Sequence, residues 1–114
     1  MIKGKVVLVP FPFDDLSSTK VRPAVCLGNP IGPHHHVVLA FITSRIPDRP
    51  LDSDLLLPLQ APSTASMGLR VDSALRLHRL ITLSSGVIRR ELGRVPPGIQ
   101  TQIDSRLRVL FDLD

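Results

Sequence analysis

The sequence predicts a small, mainly β fold of the α+β kind: a strongly twisted antiparallel sheet or small barrel followed by a C-terminal helix. Two patterns carry that prediction. Short runs rich in Val, Leu and Ile recur between Val6 and Leu83, separated by clusters of Gly, Pro, Ser and Asp, which is how strands joined by turns read. After Pro96 the period changes: Ile99, Ile103, Leu107 and Leu110 are spaced four, four and three, one face of an amphipathic helix. With 114 residues, 43% of them hydrophobic, the chain can bury one modest core, so residues 1–114 are expected to form one domain.

Taken in order, Val6 to Val9 is β-branched and apolar on both faces, a strand buried on both sides. Pro10 and Pro12 cannot donate to a ladder, so they end regular pairing or mark an edge. Asp14 to Lys20 has no period and reads as a loop. Arg22 precedes Pro23, which biases it to an extended backbone and holds it stiffly where the loop meets the strand Ala24 to Leu27. Gly28 to Pro33 is a turn cluster leading to His34, His35 and His36. Neighbours along a strand face opposite ways, so these three cannot converge on one ion, and they read as the flank of a hairpin. Val37 to Ile42 is again apolar on both faces and ends at Thr43-Ser44-Arg45.

Pro47 to Ser53 is a polar link, Leu55 to Leu59 a short apolar strand, and Ala61 to Ser66 a loop. Ala74 to Thr82 alternates, with Leu75 and Leu77 on one face and Arg76 and His78 on the other, until Arg79-Leu80 breaks the pattern as a bulge would. Ser84-Ser85 is expected to cap a helical turn over Val87 to Leu92, with Gly93 as its stop. Arg106 and Arg108 fall in the last turns of the C-terminal helix, where cations suit the helix dipole.

Fourteen basic residues, eleven of them Arg, against ten acidic ones give a net charge of +4, which suits an anionic partner such as nucleic acid. Trp and Tyr are absent and Phe numbers four, so any contact with bases leans on arginine and backbone rather than on stacking. The single cysteine, Cys26, lies in an apolar run and reads as a small buried hydrophobe. The chain has no apolar stretch long enough for a membrane span and no signal-peptide pattern, which points to a cytoplasmic protein.

Four pieces of the sequence then fit together: VVLVPFPFDDLSSTKVRPAV, the strand FITSR, the DSALRL segment and IRRELGRV. In combination they resemble the MazF/PemK family, the toxins of type II toxin–antitoxin systems, over nearly the whole chain. The resemblance implies an SH3-like barrel with a C-terminal helix, usually a homodimer. It implies a sequence-specific endoribonuclease that cuts single-stranded RNA, chiefly mRNA, without a metal or other cofactor. It also implies a cognate antitoxin of the MazE/PemI kind whose C-terminal tail occupies the RNA groove. The family's catalytic arginine and threonine match Arg22 and Thr43, with Ser44 as a further hydroxyl. A branch with an Arg-x-Asp pair matches Arg76 at its first position and has His78 in place of the acid, which leaves the identity of the base open. Lys20, Arg45 and Arg76, with Asp14, Ser17 and Thr19 of the loop, are the residues expected to hold RNA. The rival readings are a gyrase-binding toxin of the same fold, resembling CcdB, and an inactive relative. A peptide-binding SH3-like adaptor would need an aromatic groove that the composition does not supply.

If the ribonuclease reading holds, the Arg22 guanidinium and the Thr43 hydroxyl must converge on one basic furrow wide enough for unpaired nucleotides.

Overall fold

The β-branched run near the N-terminus becomes a strand with a neighbour on each side. The structure, a computed structural model, describes residues 1–11 and 20–114, the side chain of Phe11 excepted. Its strands are β1 (Lys5–Phe11), β2 (Lys20–Cys26), β3 (His36–Thr43), β4 (Asp54–Leu57), β5 (Ser73–Ser84) and β6 (Arg90–Arg94), followed by the helix α1 (Pro97–Leu110). Among the described residues these six strands form one antiparallel sheet in the order β4-β5-β3-β2-β1-β6. The expected twisted sheet and C-terminal helix are present, with six strands where about five were anticipated.

Both faces of the central strands are covered, as their unbroken apolar runs required. On one face Val6, Val25, Ile42, Leu75 and Leu77 pack with Leu55 and Leu57 of β4 and with Ile99 and Ile103 of α1. On the other, Val7, Val9, Ala24, Cys26, Val37, Leu39 and Phe41 form a second cluster. Burying each such aliphatic side chain contributes on the order of 1.5–3 kcal/mol, so the sheet is held from both sides. Burial pushes the Cys26 thiol up to about 11, Glu91 adding to this and Lys5 opposing it, so the thiol is inert at neutral pH. Pro10 pairs with Val21, while β6 reaches along β1 only from Lys5 to Leu8. Among the described residues Pro10 therefore sits where β1 has become an edge, the place a strand tolerates proline.

The sheet curls into a half-barrel, and a short element bridges its two edge strands. After β4, the residues read as a loop form a 3-10 helix, Pro62–Met67, whose Met67 is fully buried. This helix lies against β6, where Ser66 Oγ donates to the Arg94 carbonyl at 2.9 Å. The approach is so close that a Cβ on Gly93 would stand 2.3 Å from the Ser66 carbonyl oxygen.

Val87 to Leu92 departs from expectation. Only Ser85–Val87 is helical, one 3-10 turn in which Ser84 Oγ accepts from Gly86 N at 3.4 Å. The chain then extends into β6, and Arg89 N donates to the Leu8 carbonyl at 2.8 Å. Backbone pairing with β1 overrides the local helical signal, and Gly93 serves close approach rather than a helix stop. The expected bulge is present but starts earlier than Arg79-Leu80: opposite the step from Ala40 to Phe41, β5 carries the extra residues Leu77, His78 and Arg79, and Leu80 already pairs with Ala40. No helix among the described residues is long and apolar enough to cross a membrane.

Candidate active site

Strand register decides which side chains can meet. Between β2 and β3 the pairs are Cys26 with Leu39, Val25 with Ala40, and Ala24 with Phe41. Arg22 and Thr43 stand two residues beyond the last of these pairs on their own strands, and alternation puts both on the face of Ala24 and Phe41. Arg22 pairs with Val9, and Thr43 with Ala74. The pairs Val9–Arg22 and Thr43–Ala74 therefore lie on one face of the sheet. The next row on that face reads Val7, Ala24, Phe41, Arg76, Asp54. Arg76 is thus a diagonal neighbour of Thr43, within reach of a long side chain. Arg22 and Thr43 are both half-buried, neither sealed in the interior nor fully extended into solvent. Thr43 Oγ1 accepts from Arg45 N at 3.0 Å, which fixes its rotamer and leaves its O–H as the donor.

Asp54 anchors this face. Its carboxylate has no exposed surface, whereas the side chains of Arg76 and His78 are 22% and 33% exposed. Asp54 Oδ1 accepts from Arg76 Nε at 3.0 Å, and Oδ2 accepts from Arg76 Nη2 at 3.3 Å and from Leu51 N at 2.8 Å. The bulge brings His78 to the same acid: His78 Nδ1 lies 3.9 Å from Asp54 Oδ1 and 3.3 Å from Ser53 Oγ. The next residue, Arg79, sets its guanidinium 5.3 Å from the centre of the Phe41 ring, so a second arginine adjoins the row of Arg76.

Burial alone would raise the Asp54 carboxyl, but the Leu51 N–H, the Arg76 guanidinium and His78 outweigh it and hold the group below its ordinary 3.8. A depressed native value means that the ionised acid adds stability at pH values above the unfolded value, and that this is lost as pH falls through the native one. The difference in unfolding free energy between the protein and D54N should therefore be constant near neutrality and shrink below about pH 4, as urea melts across that range would show. A constant difference down to pH 2 would contradict this assignment.

The other expected residues distribute as follows. Lys20 opens β2 with an exposed side chain and, two residues before Arg22, alternates onto the same face. Arg45 is exposed just past β3. Ser44 lines a separate cleft of about 710 Å³, with Ile46, Leu59, Arg70, Val71 and Asp72 among its walls. Asp14, Ser17 and Thr19 lie outside the described residues. In the β2–β3 hairpin the His34 and His36 rings are 5.7 Å apart, and among the described residues no three metal-ligating side chains converge. Sequence reasoning passed over Asp54 and Ser53, which stand at the end of a segment read as a link. The available signal was an acid heading the apolar run Leu55-Leu56-Leu57.

The family model described as a PemK-like, MazF-like toxin of type II toxin–antitoxin systems matches residues 2–111. The chain belongs to this family. The matched span holds every residue of the Arg22, Thr43, Asp54, Arg76 and His78 face. Among solved structures, the Mycobacterium tuberculosis toxin MazF-mt6 aligns at 20% identity with a TM-score of 0.73, over 96% of this chain and 98% of that one. An endoribonuclease in complex with its cognate antitoxin from a Mycobacterial species aligns at 16% identity and a TM-score of 0.72, over 100% of this chain and 97% of that one. A MazE–MazF structure from Deinococcus radiodurans aligns at 16% identity and a TM-score of 0.71, covering 100% of this chain and 98% of that one. At these identities the likeness establishes the MazF toxin fold for this family member. No curated protein matches the chain.

Proposed function

We propose that this family member is an endoribonuclease toxin that cuts single-stranded RNA, mRNA above all, at short sequence motifs. The observation that carries the reading is that Arg22, Thr43 and Arg76 lie on one face of the sheet. The chemistry that such a face supports is in-line transesterification. The ribose 2′-oxygen attacks the adjacent phosphorus, the O2′–P bond forms, and the P–O5′ bond breaks. The 2′-hydroxyl proton passes to a base, and the departing 5′-oxygen takes up a proton. The products are a 2′,3′-cyclic phosphate and a 5′-hydroxyl. Because the nucleophile belongs to the substrate, the protein's part is orientation, charge stabilisation and proton transfer.

In this mechanism Arg22 meets the negative charge that develops on the phosphorane, and Thr43 donates its O–H to a non-bridging oxygen. Arg76 holds the same or a flanking phosphate, with Lys20 and Arg45 beyond it. His78 is the base. Its Nδ1 side faces Asp54 and Ser53, which favours the Nδ1–H tautomer and leaves the Nε2 lone pair to accept the proton. The same cationic face would receive the acidic tail of a cognate antitoxin; the similar mycobacterial endoribonuclease is in complex with its cognate antitoxin, and the Deinococcus structure is of MazE–MazF. A second copy of the chain is the proposed partner for the exposed Val109, Phe111 and Leu113 at the C-terminus.

The test is incubation of purified protein with a long single-stranded RNA in excess EDTA, with both new ends mapped. Cuts at a recurring short motif, bearing cyclic phosphate and 5′-hydroxyl ends, are expected. RNA left intact by folded protein would refute the proposal, and inhibition of gyrase by that same protein would favour a CcdB-like toxin.

A further inference from the structure

We propose that Asp54 is the positioning residue of this face: one buried carboxylate aims both the Arg76 guanidinium and the His78 ring at the substrate. The inference rests on the ribonuclease reading above.

The acid is submerged while its two partners emerge. Asp54 grips Arg76 through Nε and Nη2, which fixes the plane of the guanidinium and turns its remaining N–H groups outward. The acid is itself pinned, because Leu51 N donates to Oδ2 at 2.8 Å while Asp54 N donates to the Leu51 carbonyl at 2.9 Å. That closed turn keeps the carboxylate from swinging with its cargo. The bulge at Leu77 to Arg79 is what lets His78 reach the acid that already holds Arg76.

Stability alone does not account for this arrangement. Taking a carboxylate and a guanidinium out of water costs about as much as their attraction returns, and apolar side chains of similar volume serve as well. What the acid supplies that an apolar residue could not is a fixed direction for a cation and a negative charge on the Nδ1 side of an imidazole. Arg76 lies on the row next to Thr43, and His78 stands just beyond it in the bulge, its ring turned to the same acid.

The decisive variant is D54N. Asparagine keeps the size and one oxygen for Leu51 N–H but loses the charge and the second acceptor. In single-turnover cleavage of a fixed RNA oligonucleotide, D54N is expected to lower kcat about 10²-fold, the usual scale for a misplacement of about 1 Å, with KM little changed. In the R76A/H78A background the same substitution should have no further effect, whereas a purely structural role would lower activity in both backgrounds. Nitrogen-15 NMR of the imidazole should show the Nδ1–H tautomer of His78 in the wild type and its loss in D54N. If D54N does not fold, D54E answers in its place: the charge stays but the carboxylate moves by one methylene, and kcat should still fall about tenfold with melting retained. Wild-type kcat in folded D54N or D54E would overturn the inference, as would equal losses in the two backgrounds. A wild-type protein that leaves the oligonucleotide uncut would overturn the ribonuclease reading instead, and the His78 tautomer would then decide the positioning by itself.

Discussion

Replacing Arg22 with alanine is expected to reduce RNA cleavage by at least about 10²- to 10³-fold, the cost of removing one preorganised donor from a site where charge develops. The loss should fall on kcat, because the phosphorane carries more negative charge than the ground-state phosphodiester, so the guanidinium interacts most strongly as that charge forms. The fold should survive. Arg22 is half-buried on a strand whose neighbours Val9 and Ala24 stay fully buried, and its backbone pairing with Val9 does not depend on the side chain. Melting of R22A within a few degrees of wild type would establish this. R22K separates charge from shape: a lysine keeps the charge but not the planar fork, so activity should be intermediate rather than restored. T43A should also lose activity and T43S should keep most of it, because the hydroxyl and not the methyl is the donor. Cleavage by R22A at the wild-type rate would remove the central group of the proposed mechanism.

The parts of this fold that were legible in the sequence are those in which side chains determine local structure. The strands from Val6 and Val37 are apolar on both faces because the sheet is covered on both faces. The face of α1 is legible because Ile99 and Ile103 are the residues it buries. The break at Arg79 is legible because a bulge interrupts alternation. β6 was missed for the opposite reason: in RELGR no side chain is fully buried, and the segment is a strand through its backbone pairing with β1. The grip of Asp54 on Arg76 spans 22 residues of sequence, so no local pattern announces it. Arg22 stood out from its own setting before Pro23, whereas the catalytic roles of Arg22 and Thr43 came by resemblance to a family, and it takes the folded sheet to put both on one face. Thr43 and Ser44 are consecutive hydroxyls, yet Ser44 lines a different cleft, a distinction set by the turn after β3.

The largest stability effect should come from two glycines that no catalytic argument touches. A Cβ at Gly93 would lie 2.3 Å from the Ser66 carbonyl oxygen and 2.6 Å from the Met67 carbonyl carbon, and one at Gly68 would lie 2.1 Å from the Leu92 carbonyl oxygen. All three obstacles are backbone atoms, so no change of rotamer relieves them. Gly68 also has φ +74°, a conformation that costs an L-residue extra. The 3-10 helix can make room only by lifting off β6, which would withdraw Met67 from the core that Ile99 and Ile103 share. G93A and G68A should each therefore cost more than about 3 kcal/mol, seen as a fall in Tm of roughly 10–20 °C. Gly98 provides the contrast: it lies in the first turn of α1 with nothing within 4 Å of its missing Cβ. G98A should be neutral or stabilising by up to about 1 kcal/mol, since alanine restricts the unfolded chain and favours helix. Below its melting temperature G93A should cleave RNA at close to the wild-type rate, because Arg22 and Thr43 lie on the other face of the sheet from the core it disturbs. Unchanged melting of both G93A and G68A would mean that β6 and the 3-10 helix are not packed backbone to backbone, and the closure of the half-barrel would need another cause.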